Sequence, residues 1–119
     1  MLKMNEDLEG ALQTYVALLD KEAYFEAHEV LEEAWHPLRL RKDPLANLVK
    51  GLINGAVSFE HIKRHKKGYV TRAQKVMAAF ERHKALCQKG IRHEIHFDMA
   101  CQRIEALKKK HRDIFKHNP

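Results

Sequence analysis

The sequence is poor in the residues that build turns, sheets and covalent cross-links. Its 119 residues include two cysteines, three prolines and five glycines. Because β-branched residues are also scarce, the turn density that is typical of a sheet protein is missing. Cys87 and Cys101 are far apart and lack C-x-x-C spacing, so they indicate neither a disulfide framework nor a zinc knuckle. We expect two buried thiols.

Long hydrophobic runs are missing as well. The most apolar stretch, residues 45–62, is interrupted by polar or charged residues at 47, 50, 54, 58 and 60, whereas a membrane-spanning helix needs about 20 mostly apolar ones. The first seven residues contain no apolar run of the length that a secretory signal requires. With 45% hydrophobic and 32% charged residues, the composition is that of a folded chain. These observations predict a cytoplasmic protein without a membrane partner.

Basic charge is concentrated in the second part of the chain. Residues 1–36 carry nine acidic and two basic side chains, and residues 37–119 carry seven acidic and twenty basic ones. Either the basic part binds an acidic protein or nucleic acid, or the two parts attract each other within one fold. The densest basic run is residues 63–67, and Tyr69 is the only aromatic residue interleaved with it. That pattern favours solvated charge over a nucleic-acid surface.

Apolar residues recur at three- and four-residue spacing throughout, which predicts α-helices. We therefore expect a single all-α domain over residues 1–119, a compact bundle of about five helices joined by short loops. The predicted helices cover approximately residues 6–19, 22–35, 45–66, 69–89 and 98–111.

Particular residues predict where these helices begin, end and approach one another. Pro37 should stop the second helix just after Trp35, and Gly90 should end the fourth. Gly51 and Gly55 form a G-x-x-x-G pattern that predicts a close helix crossing. The candidate N-caps are Asn5, Asp43 and Asp98.

The second predicted helix carries two titratable groups in its apolar stripe. On a helical wheel at about 100° per residue, His28 and Glu32 fall between Trp35 and Phe25 on the side that should face the core. A buried carboxylate needs a partner, and His28 lies one turn away. The pair predicts either a buried structural contact or part of a ligand pocket.

The third predicted helix adds Glu60 at the edge of its apolar stripe and His61 on its polar side. Together, His28, Glu32 and Glu60 would supply one imidazole and two carboxylates, which can hold a divalent metal or activate a water. Trp35 would form an apolar wall. The candidate binding residues are therefore His28, Glu32, Glu60, Trp35 and His61, with no catalytic residue assigned.

Known metal motifs do not fit this set. The H-E-x-x-H motif of metalloproteases lacks its second histidine, because residue 32 is glutamate. Only one glutamate, Glu33, has a histidine three residues later, so the paired E-x-x-H motif of di-iron bundles is missing. We expect His61 and His65 to share a solvated face with Ser58.

The residues Tyr-Phe-Glu-Ala-His-Glu-Val-Leu-Glu at 24–32, followed by Trp35, resemble the signature of an uncharacterised helical family, domain of unknown function number 309. The resemblance covers approximately residues 12–80 and implies a small helical bundle without an established activity, substrate or cofactor. Members usually carry glutamine where this chain has Lys50, and histidine, often doubled, where it has Glu60 and His61. This difference weakens the case for a histidine-rich metal site.

Two hypotheses from different classes remain open. The first is a pocket between the second and third helices that binds a small molecule or a divalent metal. The second is a non-enzymatic adaptor whose basic C-terminal half binds an acidic protein or nucleic acid. A second copy of the chain is a further candidate partner, and the sequence names no cofactor and no reaction.

Overall fold

The structure, a computed structural model, describes residues 4–115, and these residues form five α-helices and one short 3₁₀ turn without any strand. The 3₁₀ turn, Lys84–Leu86, follows α4. The predicted all-α bundle of about five helices is confirmed. Among the described residues, no helix is long and apolar enough to cross a membrane. The helices are α1 (Leu8–Asp20), α2 (Tyr24–Leu40), α3 (Ala46–Arg64), α4 (Tyr69–His83) and α5 (Glu94–Lys110).

Helix α3 is the centre of the bundle. It packs against α2, α4 and α5, while α1 packs against α2 and α5. Buried apolar side chains from all five helices form one hydrophobic cluster. The Tyr15 hydroxyl is buried within it and donates a hydrogen bond to the Leu52 carbonyl oxygen over 2.6 Å. Burial raises the pKa of Tyr15 well above its ordinary value, so this hydroxyl stays a donor.

The two glycines of α3 allow the close approach that their spacing predicts. A Cβ atom at Gly51 would lie 3.3 Å from the Phe80 Cα atom in α4. A Cβ atom at Gly55 would lie 3.0 Å from the Ile104 Cδ1 atom in α5. The prediction of a tight crossing is confirmed, and the two glycines serve different neighbours.

Helix α2 continues through Pro37 to Leu40, so the prediction that it stops after Trp35 is wrong. Proline lacks the N–H that would donate to the Glu33 carbonyl one turn earlier. The backbone N–H of Asn5 donates to that carbonyl instead, over 2.9 Å. A contact with the segment before α1 thus compensates for the proline inside the helix.

The N-caps of α1 and α3 differ from the predicted ones. Asp7, and not Asn5, caps α1, because its Oδ1 atom accepts the Gly10 backbone N–H over 2.9 Å. Before α3, Leu45 and not Asp43 occupies the N-cap position, and the Asp43 Oδ1 atom accepts the Leu45 backbone N–H over 2.9 Å.

The end of α4 and the start of α5 differ more from their predicted positions. Helix α4 ends at His83, before the predicted stop at Gly90. Helix α5 begins at Glu94, and Asp98 lies inside it, where its carboxylate accepts the Gln102 side-chain amide over 2.7 Å. The earlier start of α5 is stabilised by the Glu94 carboxylate, which accepts the Gly90 backbone N–H over 2.7 Å.

Candidate functional site

A half-open pocket of about 240 Å³ lies between α2 and α3, where α2 begins and α3 ends. Three of the five predicted site residues line it, namely His28, Glu60 and His61. The structure thus has a cavity between the two helices that the sequence singled out, and the binding role of these residues stays a prediction. The full lining is Phe25, His28, Val57, Glu60, His61 and Arg64.

His28 is half-buried, and its backbone contact defines which ring nitrogen carries a proton. The Nδ1 atom lies 2.8 Å from the Phe25 carbonyl oxygen. Because a carbonyl oxygen only accepts, Nδ1 must be the donor. The Nε2 atom lies 3.4 Å from a Glu32 carboxylate oxygen. That contact becomes an ion pair only when the ring takes up a second proton on Nε2.

Glu32 lies on the surface, with 48% of its side chain exposed, so its predicted burial is wrong. It does not line the pocket. The buried stripe of α2 is narrower than the wheel indicated, and Glu32 lies about 100° around the helix from Leu31, which belongs to it. The buried residues of α2 are Tyr24, Ala27, Leu31, Ala34, Pro37 and Leu38.

Trp35 lies two turns along α2 from His28 and does not line the pocket. The Arg39 guanidinium carbon lies 5.0 Å from the centroid of its ring, and the Lys50 ammonium nitrogen lies 5.8 Å from it. Trp35 therefore packs between α2 and α3 with two cations over its ring, apart from the pocket.

Phe25, Val57 and Arg64 are the pocket residues that were not predicted as site residues. The Arg64 Nε–H donates to a Glu60 carboxylate oxygen over 2.5 Å, and only 16% of the Glu60 side chain is exposed. The guanidinium carbon also lies 5.6 Å from the centroid of the Phe25 ring. Because Glu60 and Arg64 are four residues apart in one helix, their spacing alone could have predicted this pair.

The predicted metal-ligand set does not come together. Among residues 4–115, no group of three or more histidine, cysteine, aspartate or glutamate side chains is arranged to hold a metal ion. The predicted solvated face of α3 is also wrong at Ser58, which is fully buried. The Ser58 hydroxyl donates to the Ala73 carbonyl oxygen in α4 over 2.7 Å. His61 is half-buried at the pocket, and only His65 is exposed.

The α4–α5 groove, defined as the two cavities that are both lined by Lys84, Glu105 and Lys109, is larger than the pocket. It comprises cavities of about 610 and 460 Å³ that share these three residues. Lys84 contacts carboxylate oxygens of Glu81 and Glu105 at 2.7 and 3.1 Å. Buried Lys108 pairs with the same two glutamates. These four charges therefore satisfy one another.

The electrostatics of Glu81 reflect this pairing. Burial alone would raise the pKa of its carboxyl group, but hydrogen bonds from Lys108 and Lys84 outweigh burial, and the pKa is lowered. The same contacts with Glu81 and Glu105 raise the pKa of Lys84. Both groups are thus held in their charged forms as a cross-link between α4 and α5.

The basic run of residues 63–67 lies exposed where α3 leads into α4. Two of its cations contact other parts of the chain. The Lys63 ammonium donates to the Glu22 carbonyl oxygen over 2.8 Å, and Arg64 binds Glu60. Part of the run therefore stabilises the fold.

Comparison with known proteins agrees with the family resemblance. No curated protein and no solved structure matches the chain. A family model described as Domain of unknown function (DUF309) matches residues 12–72. This range includes every residue that lines the pocket. Because the match covers just over half of its length, the chain belongs to the family Domain of unknown function (DUF309).

Proposed function

We propose that this protein binds a small organic anion in the pocket between α2 and α3. One observation carries the proposal: the pocket combines apolar walls, Phe25 and Val57, with the Arg64 guanidinium that Glu60 and Phe25 hold in place. Ligand sites in proteins characteristically join apolar walls to a few fixed polar groups.

The polar groups favour an anionic ligand. A guanidinium presents five N–H donors in a rigid plane that matches carboxylate and phosphate oxygens, and the contact with Glu60 uses the Nε–H. The imidazole of His61 lies on the same wall and offers a further polar contact. Exposed Lys66 and Lys67 follow directly after α3, and their charge raises the local concentration of anions.

The dimensions restrict the ligand to a small molecule. A volume of about 240 Å³ is below the range of roughly 300–1,000 Å³ that holds drug-sized ligands. The Phe25 ring is 42% exposed and would be covered by an apolar or aromatic ligand body. A carboxylate on a short apolar body, such as benzoate, has the required chemistry.

Thermal unfolding in the presence of benzoate and benzamide tests this proposal. Benzoate should raise the Tm of the native chain, and neutral benzamide should raise it much less. At a concentration 100 times its Kd, the ligand would stabilise the fold by about 2.7 kcal/mol. Arg64→Gln should abolish the shift, whereas Arg82→Gln should retain it, because exposed Arg82 lies outside the pocket.

The control separates ligand recognition from overall charge, since both variants remove one positive charge. Equal benzoate stabilisation of Arg64→Gln and Arg82→Gln would show that the anion binds elsewhere. The absence of stabilisation by benzoate and by a panel of related short carboxylates and phosphates would remove the anion proposal altogether.

The exposure of residues 63–67 favours one second candidate, the adaptor that binds an acidic protein or nucleic acid. Its affinity should fall steeply between about 50 and 200 mM salt, because each neutralised phosphate releases counterions. Lys66→Gln together with Lys67→Gln should reduce that salt dependence. Weak salt dependence, or no binding to a short duplex, would dismiss the electrostatic adaptor.

We also infer a cytoplasmic location, for which the two free cysteines are the supporting observation. Cytosolic proteins keep their thiols reduced, whereas small secreted domains use them in disulfides. Cell fractionation tests this inference, and recovery of the protein outside the cytoplasm would contradict it.

A further inference from the structure

The fold brings together the two cysteines that the sequence separates by thirteen residues. Cys87 follows the 3₁₀ turn after α4, and Cys101 lies in α5. Both are half-buried and line the 460 Å³ cavity of the α4–α5 groove. Each thiol is also close enough to the other to change its pKa. Neither thiol has a role in the pocket between α2 and α3.

The two thiols differ in their readiness to react. Burial raises the pKa of Cys87, and the neighbouring Cys101 thiol partly opposes that increase. Cys101 is more deeply buried, and burial together with the neighbouring Cys87 raises its pKa much further. Because the thiolate is the nucleophile, Cys87 is the better attacking group and Cys101 the better second group.

We propose that Cys87 and Cys101 form a dithiol site that reacts with low-molecular-weight disulfides and closes an intramolecular disulfide. The proposal rests on their contact and on the cavity that reaches both thiols. It is independent of ligand binding between α2 and α3. The disulfide would connect the segment after α4 covalently to α5.

The reaction proceeds in two balanced exchanges. The Cys87 thiol loses its proton to solvent, and its sulfur attacks one sulfur of the small disulfide, which forms a mixed disulfide and releases one small thiolate. The Cys101 thiol then loses its proton to solvent, and its sulfur attacks the Cys87 sulfur, forms the protein disulfide and displaces the second small thiolate. Two protein thiols lose two electrons in total, the small disulfide gains them, and both released thiolates take up a proton.

The groove suits a small charged disulfide. Lys84, Lys109, Asp98 and Glu105 line the same cavity as the thiols, so the cavity presents both signs of charge to a zwitterionic disulfide such as oxidised glutathione. The apolar Phe80 ring forms part of the same lining. Oxidised glutathione is therefore the probe of choice.

To test this proposal, the native 119-residue chain is incubated in glutathione redox buffers. Free thiols are then alkylated, and the intact mass of the protein is measured. The expected product has lost two hydrogen atoms, resists alkylation and yields a Cys87–Cys101 cross-linked peptide. The equilibrium constant for this disulfide should fall about tenfold or more when urea unfolds the chain, because the fold no longer holds the thiols together. Equal constants for folded and unfolded chains, or only intermolecular disulfides, would overturn the proposal.

Two single substitutions test the order of attack and keep the overall structure comparable. Cys101→Ser should accumulate glutathione on Cys87, because the second exchange is blocked. Cys87→Ser should react several-fold more slowly, because only the deeply buried thiol remains. Circular dichroism confirms that each variant is folded. Persistent glutathionylation of the native chain to the same extent as Cys101→Ser would refute closure of the disulfide.

Discussion

The pocket between α2 and α3 and the groove between α4 and α5 differ in how many ion-pair partners each charged group has. In the groove, Lys84 and Lys108 both pair with Glu81 and Glu105, so four charges form a closed network. In the pocket, the Arg64 and Glu60 pair lies beside apolar surface. The groove is larger, yet its charges already serve the fold. The number of ion-pair partners, more than the cavity volume, therefore distinguishes the charges of the two regions.

The largest expected effect concerns the structural role of the groove network. Lys108→Ala should lower the free energy of unfolding by about 2 kcal/mol, because Glu81 loses a partner in a partly buried setting. Urea denaturation measures this change. Exposed Lys109 is the matched control, and Lys109→Ala should stay within about 0.5 kcal/mol of the native chain. Equal losses of unfolding free energy in the two variants would show that the paired Lys108 contributes no more to stability than the exposed Lys109.

The pH dependence of stability sharpens the same comparison. Since the folded pKa of Glu81 is lowered, its stabilising contribution is complete above the unfolded pKa and is lost as pH falls through the folded pKa. Between about pH 6 and pH 3, the native chain should lose roughly 1–2 kcal/mol more than Glu81→Gln. Chemical denaturation across this range measures the difference. The same loss of stability with falling pH in the native chain and in Glu81→Gln would show that an ionised Glu81 does not stabilise the fold.

Alanine substitutions at the two glycines of α3 test how closely this helix packs against α4 and α5. At Gly51 an added Cβ meets the backbone of α4, which cannot move aside easily. Gly51→Ala should therefore lower stability by roughly 1 kcal/mol, after overpacking is partly offset by better helix propensity. At Gly55 the neighbour is the end of the Ile104 side chain, so Gly55→Ala should change stability less. The reverse order would contradict this description of the crossing.

The smallest expected effects on stability lie in the pocket. Phe25 is 42% exposed and the Arg64 side chain is 48% exposed. Arg64→Gln should therefore change the free energy of unfolding by about 0.5 kcal/mol or less without ligand, as exposed ion pairs contribute little. Phe25→Ala should cost about 1 kcal/mol at most, because much of its ring is already hydrated. Larger losses in thermal unfolding would assign these residues a structural role.

The sequence predicted the helices well because their apolar periodicity is a local property. It misjudged Pro37, because the donor for the Glu33 carbonyl comes from Asn5, which is distant along the chain. It also misplaced Glu32, because a wheel gives angles within one helix, whereas the width of the buried stripe depends on the helices that pack against it.

The residues of the candidate site were predicted only in part, because which side chains meet depends on how the helices pack. His28, Glu60 and His61 were placed on the correct two helices, but Arg64 was read only as part of a basic run. The contact of Cys87 with Cys101 arises from the packing of α5 near the end of α4, which spacing along the chain does not reveal. Apolar periodicity in the sequence thus indicated the helices, whereas the packing of those helices determined which side chains are in contact.

The most direct test of the central claim is a two-dimensional ¹H–¹⁵N NMR titration of the native chain with benzoate. We expect saturable shifts concentrated on the amides that line the pocket between α2 and α3, including those of His28, Val57 and Arg64. Amides around Lys84 and Lys109 in the α4–α5 groove should change little. Shifts concentrated in the groove, or no saturable shift anywhere, would contradict the account.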